Sequence, residues 1–290
     1  MNKTSNIILL LFLCFFNLAS CSQKKQGLKI VKSFFSAQIK SDWKYKVYLP
    51  AGYHDNKEFK YPVVYLLHGS DGDEHDWDFI YPILDSLIVS KDIPPMISVS
   101  PSTGTSWWVN SESIPYESAF FQDLIPEIDN NFRTISKKEA RGIVGFSMGG
   151  YGTLRYALGY PHYFGSAMIL SAAIYDNLPP EGSSARTSGA FGIPFNEKTW
   201  NDRNYPSSLQ YYLKNELQVP LFIATGDDDW NHEEGFEYNV EQQAVLLYGK
   251  LHKEGGSPAE LRIINGGHTK DVWSRAFIEG IQYMFQYLHY

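Results

Sequence analysis

The chain has 290 residues, a formal net charge of −7 at pH 7, 43% hydrophobic and 20% charged residues. That balance excludes a disordered, charge-rich tail, and without a basic stripe to neutralise phosphates it excludes a nucleic-acid partner. The two cysteines, Cys14 and Cys21, precede the predicted folded part, so neither a disulfide framework nor a cysteine-based zinc site is expected there. Aromatic residues make up 16% of the chain, which points to a large core or to a stacking surface.

Lys3 gives a positive start, and residues 7–16 (IILLLFLCFF) form an apolar run of ten. Ten helical residues span roughly 15 Å, too short for a hydrocarbon layer of roughly 30 Å, so the run reads as a signal-peptide core. The following Leu18-Ala19-Ser20-Cys21 resembles the bacterial lipoprotein processing box. The resemblance implies that residues 1–20 are removed, that Cys21 carries lipid, and that the protein meets a membrane in the cell envelope through this anchor. Residues 21–27 would be the tether, and 28–290 one domain.

Along the domain, residues 28–49 alternate, with Tyr45, Val47 and Leu49 on one side, and predict antiparallel edge strands. Residues 63–67 are a continuous apolar run after a proline and predict a buried strand; 96–100, 142–145, 167–170, 221–224 and 261–264 do the same. Between them, 77–89, 119–132, 148–158, 240–251 and 272–288 carry apolar residues at helical spacing. Strand and helix in alternation predict an α/β fold, a mostly parallel central sheet with helices on both faces. Residues 175–206, rich in Gly, Pro, Ser and Asn and without a long periodic segment, are too long for a passive connection, and a lid or pocket wall is expected.

Gly145-Phe146-Ser147-Met148-Gly149 matches G-x-S-x-G, directly after a predicted strand and opening a predicted helix. That context makes a sharp turn that lifts the Ser147 hydroxyl above the sheet edge, with glycine wherever a side chain would clash. The helix N-terminus favours developing negative charge. A serine hydroxyl needs a base, and where this elbow occurs the chain order is Ser, acid, His. His54, His68 and His75 precede the serine; His162 sits beside a proline, His252 inside a helix, and His289 at the terminus. His268, in Asn265-Gly266-Gly267-His268 after the last strand, is the expected base, and His232 reads as a solvated loop residue. The acid must follow 221–224, where Asp227, Asp228 and Asp229 all qualify. A calcium loop over the same run fails, because Gly and Glu are missing where the motif requires them. Two backbone amides would hold the oxyanion: Met148, after the nucleophile, and Ser70, in the loop after 63–67.

At this point the chain resembles the esterase family of α/β hydrolases that includes esterase D, bacterial feruloyl and acetyl-xylan esterases, enterochelin esterases and mycolyltransferases. The resemblance runs from about Tyr45 to the C-terminus. It rests on Val64-Tyr65-Leu66-Leu67-His68-Gly69 with Trp77, on Phe121-Gln122-Asp123-Leu124-Ile125-Pro126, and on 142–152 with Pro161 and Phe164. Ala190-Phe191-Gly192, the spacing from Gly226 to Asp229, and Gly266-Gly267-His268 with Trp273 extend it. It implies an α/β-hydrolase fold, no metal or organic cofactor, and Asp229 as the acid. The expected lipid anchor departs from a cytosolic S-formylglutathione hydrolase and suits an envelope esterase acting on polysaccharide decoration.

Trp77, Trp107, Trp108, Trp230 and Trp273 fall on or near loops at the predicted catalytic end, and Tyr151 lies one helical turn past Ser147. Flat aromatic faces there would hold a sugar or feruloyl ring. The expected function is hydrolysis of a carboxylic ester. Acyl transfer or an S-formylglutathione hydrolase-like esterase activity through the same triad, and an inactive glycan-binding lipoprotein, are the alternatives.

Overall fold

The computed structural model describes residues 26–214, 216–230, 235–253 and 258–290. The signal peptide and Cys21 lie outside the described residues, as does His232. Two antiparallel strands, β1 (Leu28–Ser36) and β2 (Ser41–Leu49), open the domain, joined by a four-residue turn. Six parallel strands follow: β3 (Val63–Leu67), β4 (Ile97–Pro101), β5 (Arg141–Phe146), β6 (Ser166–Leu170), β7 (Leu221–Gly226) and β8 (Ala259–Ile264). They form one eight-stranded sheet in the order β1-β2-β4-β3-β5-β6-β7-β8, with β2 antiparallel to β4. The chain therefore winds outward in both directions from the β3/β5 pair, and strand ends there open a crevice.

Strand alternation explains why the central runs are apolar throughout. Val63, Tyr65 and Leu67 face one core layer while Val64 and Leu66 face the other, and all five are buried. Helix α1 (Tyr81–Ser90) packs on the second layer through Leu84 and Leu87. Helix α2 (Tyr116–Ala119) runs through one π turn (Phe120–Leu124) into α3 (Ile125–Asn131), so the predicted helix at 119–132 begins three residues earlier and is not a uniform α-helix. It packs with α4 (Met148–Gly159) on the first layer, where Phe120 meets Tyr65 edge-on at 5.2 Å.

The 175–206 segment carries helices α5 (Ser184–Thr187) and α6 (Glu197–Arg203) and enters α7 (Tyr205–Leu213). The side chains of Ser183, Asn196 and Asn204 accept first-turn amides of these three helices. Two of the helices are too short for a periodic signature, and α7 has no counterpart in the sequence reading. The segment is anchored by Trp200, fully buried among Tyr151, Phe191 and Tyr175, whose indole N–H donates to the Asn177 carbonyl at 2.9 Å. Helices α8 (Val240–Lys253) and α9 (Lys270–Tyr287) complete the two layers. Among the described residues no helix is long and apolar enough to cross a membrane.

The β5–α4 turn sets the tightest packing. A Cβ on Gly145 would fall 2.1 Å from the Gly149 carbonyl oxygen, and one on Gly149 would fall 2.0 Å from that of Leu67. Both obstacles are backbone and cannot swing aside. Gly159, at the end of α4, meets nothing within 4 Å. Gly149→Ala is therefore expected to cost about 1–3 kcal/mol by overpacking, despite the better helix propensity of alanine. Gly159→Ala should be neutral or stabilising by up to about 1 kcal/mol. Urea unfolding checks both as shifts in midpoint at constant slope.

Candidate active site

Ser147 sits between β5 and α4 with φ +56° and ψ −124°, a conformation that L side chains rarely adopt. The strain is held by hydrogen bonds on both sides. The Ser147 amide donates to the Leu170 carbonyl at 2.9 Å, and the Ser147 carbonyl accepts from the Ala173 and Tyr151 amides at 3.1 Å each. As the first helical residue, Met148 has an N–H without an intrahelical acceptor.

Asp229 lies just past β7 and is fully buried. Its Oδ1 is 2.6 Å from His268 Nδ1, while Oδ2 accepts from the Thr225 hydroxyl at 3.0 Å and the Gly226 amide at 3.3 Å. Burial pushes this carboxyl up. The His268 hydrogen bond and charge, with Ser171 and the Gly226 amide, outweigh that and hold it below the ordinary aspartate value. Of the three candidate aspartates, Asp227 instead accepts from the Gly266 amide at 2.8 Å and is exposed, and Asp228 is exposed at the cavity. Only Asp229 meets the imidazole.

His268 and Ser147 line one cavity of about 590 Å³, together with Ser70, Met148, Trp107, Tyr175 and Trp230. The described residues contain no hydrogen bond from the Ser147 hydroxyl to the imidazole; such bonds commonly tighten only in the substrate complex. Among the described residues, no group of three or more His, Cys, Asp or Glu side chains is gathered to hold a metal ion.

A family model described as "Putative esterase" matches residues 36–284. The chain belongs to this esterase family. An esterase of Mycobacterium tuberculosis is 35% identical over 127 residues, covering 42% of this chain and 27% of that protein. An endo-1,4-beta-xylanase/feruloyl esterase of Xylanibacter ruminicola is 35% identical over 142 residues, covering 44% of this chain and 19% of that protein. The family chain described here thus spans about a quarter or less of the length of these curated relatives. A solved ferulic acid esterase superposes with a TM-score of 0.76 at 24% identity, over 91% of this chain and 99% of that one, which places both in one fold.

The site departs from the sequence expectation in its aromatics. Trp107 and Trp230 line the cavity, but Trp77, Trp108, Tyr151 and Trp273 do not. Trp77 is fully buried against Phe79 and Phe146. Trp108 is buried over Gly152, where its indole N–H donates to the His68 carbonyl at 3.2 Å. Tyr151 is buried and donates to the Arg203 carbonyl at 2.9 Å. Trp273 stacks on Phe146 with centroids 4.1 Å apart and donates to the Ser171 hydroxyl at 2.9 Å. A tryptophan count cannot separate a wall from the layer behind it, because both are apolar. Tyr175, Gly182, Ser183 and Ser184, which the sequence did not single out, reach the cavity from the 175–206 segment. The Ser70 hydroxyl donates to that of Ser184 at 3.2 Å, tying the segment to the loop after β3.

His68 shapes that loop. Its Nε2 accepts from the Thr103 amide at 2.9 Å, which leaves the proton on Nδ1, 2.7 Å from the Gly69 carbonyl. Burial pushes its pKa down to about 4, against partial opposition from Gly69, Asp73 and Glu74. The folded state thus keeps His68 neutral where the unfolded chain, at 6.5, takes up a proton. Stability is fully present above about pH 6.5 and is lost as pH falls toward 4, by up to about 3 kcal/mol. A thermal unfolding midpoint that drops between pH 7 and 4.5, with a shallower drop in His68→Gln, is the expected result.

Proposed function

We propose that the protein is a serine carboxylic ester hydrolase that removes feruloyl or acetyl groups from polysaccharide or oligosaccharide. The observation that carries this is the 2.6 Å Asp229–His268 pair, whose His268 lines the same cavity as Ser147 on its strained turn. In this mechanism His268 Nε2 takes the Ser147 hydroxyl proton as Oγ attacks the acyl carbon. Asp229 orients the ring through Nδ1 and stabilises it once protonated. The amides of Met148 and Ser70 receive the oxyanion, one such donor being worth about 3–4 kcal/mol. As the tetrahedral intermediate collapses and the acyl C–O bond breaks, His268 gives that proton to the departing sugar oxygen, which leaves as the alcohol. Water, activated by the same imidazole, cleaves the acyl-enzyme and releases the acid.

Trp107, Tyr175 and Trp230 give the cavity flat apolar walls, and the Xylanibacter ruminicola relative bears a feruloyl esterase name; both favour a ring-bearing acyl group. Wild-type protein is expected to release ferulate or acetate from native acylated xylan and to cleave p-nitrophenyl acetate. Ser147→Ala should lower that rate by about a millionfold while keeping the fold. Turnover retained by Ser147→Ala rejects the triad.

The apolar run followed by Leu18-Ala19-Ser20-Cys21 supports an envelope enzyme held by lipid on Cys21. Cells fed labelled palmitate are expected to label the wild-type protein and not Cys21→Ala. Equal labelling, or none in either, rejects the anchor.

A further inference from the structure

The imidazole of His268 contacts two indoles. Trp230 lies parallel to it, with centroids 4.3 Å apart and 14° between planes. Trp273 meets it edge-on at 5.1 Å and 89°. The two indoles are placed differently. Trp273 is locked in the core by Phe146 and Ser171. Trp230 is 46% exposed, lines the cavity, and follows Asp229 directly with φ +30°, a backbone conformation unusual for a bulky side chain. Trp230 therefore lies flat on the His268 ring at the cavity surface.

We propose that Trp230 is a positioning residue for His268. Its indole face fixes the plane in which the imidazole reaches both Asp229 and the cavity, and stabilises the ring while it carries the proton from Ser147. This inference rests on the proposed triad. The physical basis is the electron-rich face of the indole, which attracts a cation laid over it. Neutral imidazole gains less, so the contact favours the protonated ring that forms as the serine is acylated. The other charged groups here, among the described residues, are few. Asp229 contacts Nδ1, and Asp228 lines the same cavity. Asp227 is engaged with the Gly266 amide. On α9, Lys270 lies over the Phe79 ring and Asp271 pairs with Arg275.

The test separates an aromatic face from a simple apolar cover. Trp230→Leu keeps a cover and removes the π face, and Trp230→Phe keeps a smaller face. The pKa of His268 is read by NMR titration in the Ser147→Ala background, with its signal identified by its loss in His268→Gln. The expected result is a fall of about half a unit in Trp230→Leu, with Trp230→Phe between that and the parent. In otherwise wild-type enzyme, the acid limb of kcat/KM on p-nitrophenyl acetate should move the same way, an effect of about threefold below that limb. An unchanged or raised His268 pKa in Trp230→Leu overturns the proposal. The titration needs no turnover, so a failure of Trp230 and a failure of the Ser147 assignment are read from different measurements.

Discussion

The carbonyl oxygen of Leu67, at the end of β3, lies where a side chain on Gly149 would have to go. That contact brings the start of α4 against the loop after β3, and the rest of the catalytic end is arranged around it. With Gly145 and Gly149 bare, the turn between β5 and α4 closes sharply enough to hold Ser147 at a positive φ, with Ser147 and Met148 on the cavity wall. Ties from Ser147 to Leu170 and Ala173 extend the same constraint to β6. The nucleophile candidate is thus fixed by three strands of the sheet, and its strain is offset by a backbone network rather than by its own side chain.

A second constraint is electrostatic. Asp229 is removed from water, which by itself disfavours its charge. It remains a carboxylate because every direction around it offers a donor: His268, Thr225, the Gly226 amide and Ser171. Ser171 in turn accepts from Trp273, which stands against His268. Asp229, His268 and the indole of Trp273 therefore form one connected group, and displacing any member leaves a buried polar atom unpaired. His68 follows the opposite logic. Its site offers one donor and one acceptor and suits only the neutral ring, so it shapes the loop bearing Ser70 without taking charge.

The aromatic residues serve mainly as a rigid frame. Trp107, on the cavity wall, packs edge to face on Tyr151 and Phe191, Phe191 does the same on Trp200, and Trp77 and Trp273 both pack on Phe146. Trp107 and Trp108 both stand at positive φ, at 54° and 55°, held by the Met148 sulfur and the His68 carbonyl respectively. Rings fixed in this way lose no further side-chain entropy when substrate binds. That favours a cavity already shaped for a flat group.

The sequence by itself determined the parallel sheet, the antiparallel edge at 28–49 and the strand, elbow and helix around Ser147. These depend on local periodicity and on glycines whose absent side chains answer to neighbours a few residues away. It also placed the candidate base, His268, after β8, because chain order and loop position left few histidines. Residue chemistry alone left Asp227, Asp228 and Asp229 open, with only the family resemblance pointing to Asp229, since adjacent carboxylates differ only in which one the β7 turn buries toward His268. The sequence led us to expect a lid or pocket wall at 175–206 but could not foresee α7, nor that Tyr175, Ser183 and Ser184 are the residues that reach the cavity, because that segment takes its path from burial of Trp200. The division of the tryptophans between wall and core was likewise decided by the tertiary structure alone. An indole has the same sequence signature on either side of the cavity surface, and only its neighbours across the fold determine which side it occupies.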